Sequence, residues 1–171
     1  MKKTALLGLL TAFALILSFL ESLIPNIVPI PGFKLGLANF AVLTALYLFG
    51  FKEAVLVDIC RMILSALLFG SMFSFIYSLS GAIFALLIEY LVKNTKKFSP
   101  VGVSIAGAVF HNIGQFAAAV IIMRTLNLLY YMPFTLLFAV GTGFIVGFLV
   151  NTLKPRLMRF IEDTSKNEKS E

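Results

Sequence analysis

The sequence has no tryptophan, a single cysteine, a single histidine and only two aspartates in 171 residues. Each scarcity excludes something. Cys60 alone allows no intramolecular disulfide and no cysteine-rich metal site. Asp58 and Asp163 are far apart in the chain, so the clustered carboxylates that hold Mg²⁺ on a diphosphate are missing. His111 has no partner at zinc spacing, and no Ser-His-Asp set is present. No G-x-x-x-x-G-K-[ST] loop occurs, so the chain does not hydrolyse ATP by that route. No catalytic residue, metal ligand or cofactor is expected. Charge is scarce too: 13% of residues are charged and 60% hydrophobic, whereas a soluble domain carries about 25% charged residues. One small core cannot hide that much apolar side chain, so most of the exterior must face lipid.

What is present is a series of apolar runs, at 4–24, 35–50, 54–69, 75–92, 103–123 and 133–153. A helix needs about 20 residues to cross ~30 Å of hydrocarbon. These runs predict one transmembrane domain, 1–153, built as an all-α bundle of six spans. The second and third runs are short and closely joined, and read as a tight helical hairpin. Three prolines and a glycine make 25–34 a turned, extended loop. Residues 154–171 read as a charged tail that frays. Lys2 and Lys3 could head a signal peptide ending near Ala12-Phe13-Ala14, but the apolar run continues past that point, so a retained helix is expected.

The net charge of +6 does not indicate nucleic-acid binding, because the basic residues lie in short clusters between apolar runs. Placing both termini in the cytoplasm puts Lys2, Lys3, Lys52, Lys93, Lys96, Lys97 and the five basic residues after 153 inside. Only Lys34 and Arg124 then lie outside, and Arg61 falls within a span. This asymmetry predicts a bacterial cytoplasmic membrane protein with both termini inside.

Polar residues within spans are costly, and so are functional candidates. Asp58 and Arg61 share a helical face and can pair; a structural ion pair and a ligand-binding role both remain open. Glu21 reads as a solvated edge residue and Glu89 as a marker of the interface. His111 and Gln115 are stacked four residues apart, with Asn112 beside them and Gly107 one turn earlier, as in a cavity lining. Ser74 and Ser78 lie among Phe73, Phe75 and Tyr77, giving a hydroxyl-and-aromatic surface, with core packing as the rival reading. Gly141, Gly143 and Gly147 suggest close helix packing, not a nucleotide loop. Thr4, Gly8 and Ala12 recur every four residues as a small-residue ridge, which could pack inside the bundle or dock a partner helix.

Three motifs carry a family resemblance: Pro31-Gly-Phe-Lys-Leu-Gly-Leu-Ala-Asn39 with Arg61, the stretch Gly70 to Gly81, and Gly107-Ala-Val-Phe-His-Asn-Ile-Gly-Gln115. Together they resemble the bacterial membrane family called heptaprenyl diphosphate synthase component I, or Gx transporter. That family is in turn similar to the substrate-binding S components of energy-coupling factor (ECF) transporters. The resemblance implies an S-component-like bundle that binds a small molecule beneath the first external loop. It implies as partners a transmembrane coupling subunit and two ATPases, with Thr4, Gly8 and Ala12 as the docking face. The substrate site it suggests comprises Lys34, Asn39, Arg61, Ser74, Ser78, His111, Asn112 and Gln115, with 25–34 as the lid. The alternative is an accessory membrane component of heptaprenyl diphosphate synthesis that has no catalytic site of its own.

Overall fold

A computed structural model describes residues 2–23 and 36–169, apart from the side chains of Lys2, Ser74 and 164–169. The expected lid at 25–34 and the candidate Lys34 lie outside the described residues. The described residues form six α-helices: α1 (Lys2–Leu23), α2 (Asn39–Leu48), α3 (Phe51–Leu68), α4 (Met72–Asn94), α5 (Pro100–Met123) and α6 (Met132–Lys169). A 3₁₀ turn, Asn127–Tyr131, precedes α6. Among the described residues, four helical stretches are long and apolar enough to cross a membrane: Lys3–Leu23, Phe75–Asn94, Pro100–Met123 and Asn127–Asp163.

α2 is shorter than the apolar run that predicts it. Its 10 residues rise about 15 Å, half of a bilayer core. Both ends are set by backbone that only glycine adopts readily: Gly36 has φ +93° and Gly50 has φ +109°. At the second break the N–H groups of Phe49 and Gly50 both donate to the Ala45 carbonyl, closing the helix. Every residue from Ala41 to Leu46 is buried, so α2 is a core element wrapped by the other helices.

The hairpin nonetheless covers most of the height of α1. The Gly36 N–H donates to Glu21, near the end of α1, whereas Glu53 pairs with Lys3, near its start. The Lys3 ammonium holds the half-buried Glu53 carboxyl below its ordinary range. Lys93 and Lys154 both lie over the Tyr47 ring, 5.0 and 4.8 Å from its centroid. The basic clusters therefore gather at one end of the bundle.

α3 buries one face, with Ala54, Val57, Asp58, Arg61, Met62 and Ser65 at three- and four-residue spacing. α5 starts three residues before the expected span. Pro100 occupies its first turn and Ser99 caps it, accepting from the Gly102 N–H at 3.4 Å. Glycines set how closely the later helices approach. A Cβ on Gly147 would stand 2.5 Å from the Val101 Cα, and one on Gly114 would stand 2.8 Å from the Ser80 carbonyl. α6 continues through Pro155 to Lys169, so helix replaces most of the tail expected to fray. Outside, Leu9, Ile16 and Phe19 on α1 and Leu137, Phe144 and Phe148 on α6 are exposed, leaving an exterior suited to lipid.

Candidate functional site

A small polar cavity lies at the level where α1 ends and α2 begins. Glu21, Asn39, Asp58, Arg61, Ser78 and His111 line it, together with Gly36 and three alanines. It holds about 20 Å³, room for a single water-sized group. A second cavity of about 10 Å³ adjoins it, sharing Gly36, Asn39 and His111 and adding Ser104 and Thr142.

Glu21, Asp58, Arg61 and Asn39 are each held by an identifiable contact. Glu21 is not a solvated edge residue: it is buried, and it accepts from the N–H groups of Gly36 and Leu37 at 2.6 and 2.8 Å. Those two donors belong to the turn into α2. The carboxylate thus ties α1 to the start of α2. Arg61 and Asp58 form the ion pair their spacing allows, through Nε at 3.0 Å and through Nη2. The remaining Arg61 nitrogen, Nη1, donates to Ser18 Oγ at 3.2 Å. All three side chains are buried, and the guanidinium is already committed to α1 and α3.

Glu89 corrects a second expectation. It marks no interface: it has no exposed surface, and one carboxylate oxygen accepts from Asn39 Nδ2. Gly107 makes room for it, since a Cβ there would overlap the Glu89 side chain. The glycine one turn before His111 therefore serves a carboxylate on the neighbouring helix. Asn39, at the first turn of α2, stands between Glu89 and the cavity.

The structure thus gathers Asn39, Arg61, Ser78 and His111 around one cavity. It does not place Asn112 or Gln115 there. Asn112 donates to the Ala108 carbonyl one turn back at 3.1 Å. Gln115 is buried at the α4–α5 contact, where its Cγ and the His111 ring pack against Gly81. The Ser74 side chain lies outside the described residues. Thr4, Gly8 and Ala12 are exposed on α1, and nothing stands within 4 Å of a Cβ built on Gly8. Gly141 is likewise open, whereas Gly143 and Gly147 are packed against α5.

Sequence reasoning missed Ser18, Glu21, Ser104 and Glu89 as parts of this polar interior. Glu89 carried a usable signal, being an acidic residue inside an apolar run and opposite a glycine on the next helix. For Glu21 the partner is backbone, and side-chain patterns do not reveal that.

The described residues define a class: an all-helical bundle with apolar helices of membrane-spanning length around a small polar cavity. Within that class the chain belongs to the heptaprenyl diphosphate synthase component I family, whose model matches residues 10–153. No curated protein and no solved structure matches the chain.

Proposed function

We propose that this chain is the non-catalytic membrane component of a heptaprenyl diphosphate synthase and works with a separate catalytic chain. The observation that carries this reading is the family match over residues 10–153. The chemistry agrees with a division of labour. Prenyl transfer ionises an allylic diphosphate with Mg²⁺ held by clustered carboxylates. Here Asp58 is committed to Arg61, and Asp163 lies near the far end of α6. A membrane-embedded partner would hold the catalytic chain at the bilayer, where an isoprenoid product partitions.

The same reading places the bundle in the bacterial cytoplasmic membrane, with six crossings and both termini inside. Supporting this are the basic residues gathered at one end and the hairpin that spans most of the height of α1. Lys93, Lys96 and Lys154 would face the cytoplasm.

A second reading, an uptake S component with a coupling subunit and two ATPases, is favoured by two features: a polar cavity among apolar helices, and an outward Thr4–Gly8–Ala12 ridge that would let a partner helix approach closely. Affinity purification of the chain from native membranes in mild detergent separates the two. Recovery of a soluble prenyl diphosphate synthase chain is the expected result. Recovery of paired ATPases without it would overturn the first reading in favour of the second.

A further inference from the structure

We propose that the exposed face of α6 binds a polyprenyl diphosphate, with the chain seated in a recess at Gly141 and the diphosphate held by Arg156 and Arg159. This rests on the synthase partnership proposed above and names the ligand of that membrane component.

The recess is the first argument. Leu137, Phe138, Gly141, Thr142 and Ile145 line an open hollow of about 330 Å³, and its walls present only apolar atoms. Gly141 creates it, since nothing stands within 4 Å of a Cβ built there. Glycine inside a helix costs about 1 kcal/mol relative to alanine. Gly143 and Gly147 offset that by letting α5 approach, whereas Gly141 admits no neighbour and leaves open space on the exterior. The hollow has room for more than one isoprene unit.

Alignment is the second. Gly141, Ile145, Phe148, Thr152, Arg156 and Arg159 follow at three- and four-residue spacing on one face of α6. All six are exposed. The face runs from the recess, over an apolar and aromatic stretch, to two guanidinium groups beyond Lys154 at the basic end of the bundle. Gly141 and Arg156 are about 22 Å apart along the helix axis. A fully extended heptaprenyl chain is longer than that, so its far units reach the recess while the diphosphate stays at the arginines.

Charge complementarity is the third. Arginine matches phosphate oxygens in bidentate geometry, and neither Arg156 nor Arg159 is in an ion pair among the described residues. Asp163 follows one turn after Arg159, so the phosphates lie between the two arginines and not beyond them. The interior is closed to the same group. Its cavity holds about 20 Å³, and the Arg61 guanidinium is committed to Asp58 and Ser18.

The test uses the full chain in phosphatidylcholine nanodiscs and heptaprenyl diphosphate carrying a photoreactive group at the far end of its chain. Labelling should be saturable, should fall on 137–145, and should be displaced by unlabelled heptaprenyl diphosphate. Heptaprenol, inorganic pyrophosphate and phosphatidylglycerol should each compete clearly more weakly. Arg156→Gln combined with Arg159→Gln should weaken the apparent affinity by about tenfold or more, the loss of hydrogen bonds to a charge. Gly141→Phe fills the recess and should move labelling off 137–145 and weaken affinity. An unfolding midpoint close to that of the unaltered protein shows that each variant is folded. Labelling scattered over other helices, equal competition by phosphatidylglycerol, or an unchanged affinity in the arginine variant would each overturn the proposal. If Gly141→Phe fails to fold, the arginine variant still decides. Absence of labelling, with product formation still dependent on this chain, would sink the surface and leave the partnership standing. Saturable labelling at 137–145 with no synthase chain recovered would do the reverse.

Discussion

Arg61 is the residue on which the polar interior turns, since its three donor nitrogens reach Asp58 on its own helix and Ser18 on α1. A buried ion pair is costly to break from one side, because the partner is left charged in a poor solvent. Arg61→Ala and Asp58→Ala should each destabilise the bundle by ~3–5 kcal/mol, and the double variant by clearly less than their sum. Unfolding in detergent, run as a double-mutant cycle, measures this; additive losses would show that the pair is not coupled. At this scale the sequence was legible where a side chain's partner lies one helical turn away, as for Asp58 and Arg61. It was not legible where the partner is backbone or a distant helix. Glu21 bonds two N–H groups in the turn before α2, and Glu89 meets an asparagine 50 residues away. Periodicity carries no record of such long-range pairs. Asn112 and Gln115 show the converse: they are grouped on one helix like a cavity lining, yet Asn112 bonds its own helix and Gln115 packs at the α4–α5 contact.

Among the elements, α4, α5 and α6 are set by glycines that let backbones meet. Gly147 is the clearest case, because an added Cβ would strike the Val101 Cα and the Pro100 carbonyl, neither of which can swing aside. Gly147→Ala should therefore force α6 away from α5 and lower stability by about 1–3 kcal/mol, the cost of overpacking. Gly141→Ala meets open space and should leave the unfolding midpoint unchanged or slightly raised, as expected for replacing glycine by alanine in a helix. Equal effects of the two substitutions would contradict the packing described. The long apolar helices were legible because twenty consecutive apolar residues allow little else. The true length of α2 was not. Its apolar run, 35–50, includes Gly36 and Gly50, whose positive φ angles lie just outside the two ends of the helix.

For the whole molecule, the proposed topology rests on the basic end of the bundle. Lys3, Lys93 and Lys154 come together there, and residues retained on the cytoplasmic side of a membrane are enriched in lysine and arginine. After Cys60 is replaced by serine, a cysteine at 96 or 154 should resist an impermeant thiol reagent in intact cells. A cysteine at 26 should be labelled. Labelling at 96 would invert the arrangement.

If the chain serves prenyl diphosphate synthesis without catalysing it, as proposed, heptaprenyl diphosphate formation by the catalytic chain should depend on it. Assayed on vesicles with and without this protein, product should form at the vesicle only when both are present, and this protein alone should make none. Product formed at the same rate by the catalytic chain on empty vesicles would contradict it.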